Sequence, residues 1–163
     1  MKYTKPYYQM QGTQVLISIK PQWCKLIAEG KKTLEFRHNI PNLNLPFRCL
    51  IYCTRGSLEY TVHDKTVSLP EGKRVIGEFT CTSWYYIVAP EADQPQNIFV
   101  LMQDGHKLED GCVPMPDLIQ YIGHGKAGYA WGISDLKLYE QPKTLEETGI
   151  CKHPPMSWRY IHE

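Results

Sequence analysis

Apolar positions along this chain come in short runs, and the period within each run predicts the element it forms. Residues 13–20 (TQVLISIK) are β-branched and apolar through their middle, which predicts a strand. Residues 21–29 follow as a short helix. Pro21 suits its first turn, Trp23, Leu26 and Ile27 make one apolar stripe, and Gly30 is a natural left-handed stop. Residues 33–37 (TLEFR) alternate strictly, with Leu34 and Phe36 on one face and Thr33, Glu35 and Arg37 on the other. Two prolines and two asparagines in IPNLNLP then break the structure.

Further strands are expected at residues 48–54, 73–84 and 128–139, and an extra hairpin at 58–69 that turns near His63-Asp64-Lys65. On the strand at 73–84, Val75, Gly77, Phe79 and Cys81 share a face. A second helix spans residues 116–122, led by proline, sided by Leu118, Ile119 and Ile122, and ended by Gly123. One helical turn is expected at 144–147, and the tail PPMSWRYI packs back onto the body. Residues 1–12 read as an N-terminal arm and residues 13–163 as one domain. An inserted loop at about residues 89–111 is too short for a core of its own. The sum is five or six principal strands with two short helices, an α+β pattern compatible with a small mixed β-barrel.

Composition narrows the function classes. The 163 residues carry 18 basic and 17 acidic side chains, so no global charge draws the chain to nucleic acid or to an anionic membrane. Any such contact must come from a local patch. The N-terminus has no apolar signal core and the apolar runs are too short to span a bilayer, so the expectation is a cytoplasmic protein without membrane contact. Six cysteines without a CxxC pair read as reduced, mostly buried thiols. The six histidines show no HxH or HExxH spacing, and Gly123-His124-Gly125-Lys126 lacks the spacing of a phosphate loop. No metal and no cofactor is expected, and oligomeric state is left open.

The chemistry-bearing stretch is Gly30-Lys31-Lys32-Thr33-Leu34-Glu35-Phe36-Arg37. A helix stops at Gly30 and a strand starts at once, so Lys31 and Lys32 sit in a tight corner. Glu35 and Arg37 then point from one face, about 7 Å apart along the strand. The plain alternative is a half-exposed strand showing polar residues to water.

This stretch is similar to the GxKxxExR signature of the ASCH domain superfamily, relatives of the PUA RNA-binding fold. The similarity continues in order through CLIYCT, RVIGEF, YAWGISDLKLYEQPKTLEE and PPMSWRYI. It implies a PUA-like barrel with a cleft for RNA or a nucleotide-like ligand, with DNA as an alternative partner. Gly30, Lys32, Glu35 and Arg37 fall on the signature positions. Lys32 and Arg37 can meet phosphate, Arg37 in bidentate fashion, while Glu35 accepts from a base or ribose donor or holds Arg37. One branch resembles amidohydrolases of N4-acetylcytidine that use a lysine-activated threonine. Here Glu35 stands where that threonine belongs, and a carboxylate is a poor acyl-transfer nucleophile.

Tyr52 points opposite to Ile51 and Cys53 and is a candidate cleft residue or a buried tyrosine. Ser157 and Trp158 are candidate ligand contacts, with packing of Trp158 onto the barrel as the alternative. The run Trp84-Tyr85-Tyr86 is a stacking surface or a loop anchor. The favoured function is a nucleic-acid or nucleotide binding module for RNA. A small hydrolase or ribonuclease is the alternative, with Lys32 as base and Glu35 as acid or base. A protein-interaction domain working through residues 89–111 is the second alternative.

Overall fold

Two stretches with the signature of a single strand each turn a corner between two sheets. The structure is a computed structural model that describes residues 13–100, 102 and 105–162. The arm expected at residues 1–12 lies outside the described residues. The strand expected at 73–84 is β6 (Arg74–Cys81), and the chain bends at Thr82-Ser83 into β7 (Trp84–Val88). Likewise the strand expected at 128–139 is β9 (Ala127–Gly132) and β10 (Ser134–Lys143), broken at Ile133. Backbone hydrogen bonds pin both corners, Gly132 N–H to Ser83 O at 2.8 Å and Ile133 N–H to Thr33 O at 2.9 Å. Period-2 patterning survives such a bend because each half still alternates, so the corners carry no mark in the pattern.

The remaining elements are β1 (Thr13–Ile19), α1 (Pro21–Ala28), β2 (Leu34–Arg37), β3 (Phe47–Cys53), β4 (Leu58–Val62) and β5 (Lys65–Leu69). Later come β8 (Phe99–Val100), a 3-10 turn (Leu108–Gly111), α2 (Met115–Ile122), α3 (Leu145–Thr148) and β11 (Trp158–His162). Eleven strands among the described residues replace the expected five or six, and the fold is α+β as expected. The strands form a five-stranded sheet β10-β6-β3-β1-β11, a four-stranded sheet β2-β9-β7-β8, and the hairpin β4-β5. The hairpin turns at His63 and Asp64, both in the left-handed region at φ 49° and 62°, the geometry that a two-residue turn between twisted strands requires.

The sheets do not close into the expected barrel. β10 and β11 edge one sheet, and β2 and β8 edge the other. At β2 no ladder among the described residues joins the two sheets, and a side chain bridges them instead.

The main core lies between the two sheets, with Ile17, Ile51, Ile76, Phe79 and Trp131 fully or almost fully buried. On the other face of the four-stranded sheet, Leu118, Ile119 and Ile122 of α2 cover Leu34, Phe36, Ile87 and Ala130. Each buried Leu, Ile or Phe side chain among these stabilises the fold by about 1.5–3 kcal/mol. β2 is therefore covered on both faces, and all four of its residues are buried. Its polar face meets protein, not bulk water. Residues 89–111 carry β8 and the 3-10 turn, and Ala89 and Ile98 join the apolar cluster under α2.

Candidate functional site

The site begins with the way α1 ends. Gly30 takes φ 73°, its N–H reaches Ile27 O and the N–H of Lys31 reaches Leu26 O, both at 3.0 Å. That pair of bonds is a Schellman stop, and only glycine enters its left-handed position without strain. The reversal turns the chain inward at Lys32 instead of letting it run along the surface. Thr33 then donates its N–H to Asp110 O at 2.8 Å, which ties the start of β2 to the 3-10 turn.

Lys32 is 1% exposed, one of the largest fully buried side chains of the protein. Its Nζ donates to the carbonyl of Gly111 at 2.6 Å and lies 3.7 Å from Glu35 Oε2. The rings of Trp23 and Phe36 sit 5.3 and 5.2 Å from it, within cation–π range. Burial pushes the amine below the ordinary lysine range, and the Glu35 carboxylate offsets part of that shift.

Glu35, 6% exposed, stands between Lys32 and Arg37, with Arg37 Nε 3.5 Å from its Oε1. Arg37 is 9% exposed and bridges the sheets. Its Nη2 donates to Ser18 O on β1 at 2.7 Å, and its Nη1 donates to Ser157 Oγ at 3.1 Å and Ser157 O at 3.4 Å. Ser18 N–H donates to that same Ser157 carbonyl at 2.9 Å, so the guanidinium locks β1 and the tail together beside β2. Among the described residues, Glu35 Oε2 and Arg37 Nε are buried with ion-pair neighbours at 3.7 and 3.5 Å but no hydrogen bond. Buried polar atoms in that state are rare in folded proteins and call for a cause in strain, chemistry or a bound water or ion.

These groups open on a cavity of about 600 Å³, within the usual range for small-molecule sites. Its walls include Trp23, Phe36 and Tyr121, with Lys20 and Asp117 among the charged lining. Tyr121 stacks on His38 with ring centroids 4.4 Å apart and remains 42% exposed.

The structure brings Lys32, Glu35, Arg37 and Ser157 together at this cavity. Gly30 shapes the approach to it through the turn. Tyr52 is elsewhere: it packs with Leu16, Leu50 and Val75 on the face of the five-stranded sheet away from the main core. Its opposition to Ile51 and Cys53 is real, but the face it points to is covered by Leu145 and Ile161. Trp158 also serves packing. It meets Trp131 and Tyr160 edge to face at 5.9 and 5.2 Å, and its Nε1 donates to Asn39 Oδ1 at 2.8 Å. Trp84 and Tyr86 are exposed, each edge to face with Tyr129, while Tyr85 is buried.

Sequence reasoning missed several contributors. Gly111 acts through its carbonyl, which no side-chain pattern reveals. Asp117 and Tyr121 come from α2, eighty or more positions after the motif, and His38 was legible only as the residue that follows it. Phe36 alternates away from Glu35, yet it lines the same cavity because the cavity wraps the edge of β2.

No family model matches the chain. A curated relative named an ASCH domain-containing ribonuclease, from Zymomonas mobilis, is 48% identical over 42 residues, 26% of this chain and 28% of that protein. The crystal structure of ASCH from Zymomonas mobilis superposes with a TM-score of 0.62 at 22% identity, covering 90% of this chain and 86% of that one. The structure of a single-residue mutant from the same organism gives 0.61 over 90% of this chain and 87% of its own.

Proposed function

We propose that this chain, which has the α+β ASCH/PUA-like fold, uses the cleft at Lys32, Glu35 and Arg37 to bind RNA or a nucleotide-like ligand. The observation that carries the reading is the buried trio itself. Three ionisable groups lie nine-tenths or more out of water, and two of their polar atoms lack hydrogen-bond partners. Burying charge is costly, and apolar residues would fill the same volume at least as stably. A charged trio at the wall of a cavity supports a site over a core. Tyr121, 42% exposed on the cavity wall, supplies a flat face for an unstacked base, the usual means of single-strand recognition. The ribonuclease name of the Zymomonas relative supports RNA as the polymer.

The test is a titration of labelled single-stranded RNA, matched DNA and mononucleotides against the wild type and Lys32→Met. Binding that is centred on the cleft and lost in Lys32→Met supports the reading. Absence of binding by every one of these ligands sinks it.

The second reading is phosphodiester hydrolysis. It is favoured by the same relative's name and by the amine of Lys32, whose lowered proton affinity suits a general base. Glu35, 3.7 Å away, is placed to exchange a proton with it. Turnover of RNA by the wild type, abolished in Glu35→Gln, would establish this reading over simple binding.

A further inference from the structure

We infer that Cys24 and Cys53 are a dithiol pair that hydrogen peroxide converts reversibly into a disulfide, fastening α1 to β3 beside the cavity. This goes beyond the ligand reading and does not depend on it.

The backbone brings the two thiols to one place. β1 and β3 run parallel, with Ile19 opposite Cys53. The Ile19 carbonyl accepts twice, from the N–H of Thr54 at 2.9 Å and from the thiol of Cys24 at 3.4 Å. Thr54 is the residue after Cys53, so one carbonyl anchors the surroundings of both sulfurs. Cys53 comes from the end of a strand and Cys24 from the first turns of the helix that follows β1. Both point into the same core cluster and neither has exposed surface.

The two thiols are chemically unequal. Contact with the Cys24 thiol holds Cys53 below the ordinary thiol range. That contact and burial push Cys24 well above it. A sulfur that ionises more readily, beside one that stays protonated, is the arrangement of an attacking and a resolving cysteine. The other buried thiols lack this inequality. Burial raises both Cys49 and Cys81, the latter to about 12.

The reaction balances on these two residues and one peroxide. The Cys53 thiolate attacks a peroxide oxygen, the S–O bond forms and the O–O bond breaks. The departing hydroxide takes up the proton that Cys53 released and leaves as water. The Cys24 sulfur then attacks the sulfenic sulfur of Cys53, forming S–S and breaking S–O. The second hydroxide leaves with the Cys24 proton, also as water. A dithiol reductant reverses the bond by exchange.

Placement gives the bond a consequence. Trp23 precedes Cys24 and Thr54 follows Cys53, and both line the cavity. The disulfide therefore ties two stretches of cavity wall to each other. Enclosure makes its formation slow, because peroxide reaches the sulfurs when α1 lifts locally from the sheet.

The experiment treats the full chain carrying Cys112→Ser and Cys151→Ser, which removes the two partly exposed thiols, with hydrogen peroxide. Intact mass, peptide mapping and amide hydrogen exchange are the readouts. The protein should lose two hydrogen masses, yield one bridged peptide pair joining Cys24 to Cys53, and return to its starting mass with dithiothreitol. Amides of α1 should exchange roughly tenfold or more slowly once oxidised, because local opening now works against a covalent link. Cys24→Ser in that background should stop at a Cys53 sulfenic acid that dimedone traps, whereas Cys53→Ser should leave Cys24 unreacted. The wild-type chain, mapped in the same way, should give the same bridge and covers the case in which the serine variants disturb the fold. A chain that stays reduced, a bridge joining Cys49 to Cys81 instead, or a bridge that forms only in denaturant overturns the pair. Unchanged exchange in α1 overturns the fastening of helix to strand.

Discussion

The ε-ammonium of Lys32 donates a 2.6 Å hydrogen bond to the backbone carbonyl of Gly111, 79 residues further along the chain. One bond thus fastens the end of the α1 turn to the 3-10 turn that closes the long insertion. It fixes the height of the amine over the cavity, between the rings of Trp23 and Phe36. The insertion is thereby part of the site and not an appendage beside it.

Gly111 has no room for a side chain. A Cβ there would clash with the ring of Phe36. Gly111→Ala should cost about 1–3 kcal/mol, the usual range for overpacking. It should also shift the carbonyl that holds Lys32, so melting temperature and ligand affinity fall together. Phe36→Leu in that background should recover part of the stability. Recovery is read by thermal melts of the two single variants and the double.

Lys32 sets a pH dependence of defined sign. Its folded-state proton affinity lies below the unfolded value of 10.5 because burial disfavours the charged form. Between the two values the unfolded state binds more protons, so this group makes stability rise with pH over that window. Buried tyrosines such as Tyr60 act in the opposite sense at alkaline pH, since burial raises their phenol. The difference between wild type and Lys32→Met cancels the tyrosines. Denaturant melts through the alkaline range should show the wild type gaining on the variant, and a flat difference would contradict the buried, depressed amine.

Arg37 holds the sheets together where no strand ladder does. Lysine places its three N–H groups on one nitrogen and lacks the spread fork with which Arg37 spans Ser18 O and Ser157. Arg37→Lys should therefore raise hydrogen exchange at the Ser18 amide, which bonds to Ser157 O at 2.9 Å. Ser157→Ala removes one side-chain acceptor and keeps the carbonyl, so it should cost only about 0.5–1.5 kcal/mol. Equal exchange at Ser18 in wild type and Arg37→Lys would show that the tail is held by β11 alone.

Tyr121 separates binding from stability. It is 42% exposed and stacked on His38. Tyr121→Ala should cost about 0.5–1.5 kcal/mol of stability, the range for losing one aromatic stack. It should lower RNA affinity by about 1–3 kcal/mol, the range for loss of one base–aromatic stack. Unchanged affinity would move the stacking face to another wall.

The local pattern alone determined the helix from Pro21, the stop at Gly30, the alternation through Glu35 and Arg37, the hairpin at His63-Asp64 and the helix closed by Gly123. Each depends on neighbours a few residues apart, through backbone sterics and side-chain period, and so each is written in consecutive letters. The signature GKKTLEFR likewise put Lys32, Glu35 and Arg37 side by side. Tertiary structure decided the rest. Strand corners at Thr82-Ser83 and Ile133 keep the same alternation as straight strands, and only sheet packing shows the bend. Burial of the polar face of β2 depends on the β1 strand and the tail lying over it, contacts of high sequence separation. Tyr52 and Trp158 illustrate the same limit, because alternation says that a side chain faces one side and not what covers that side. The cavity itself is assembled from the end of β1, α1, β2, the residue after β3, α2 and the tail. No window of the chain contains it, because it exists only where those segments converge.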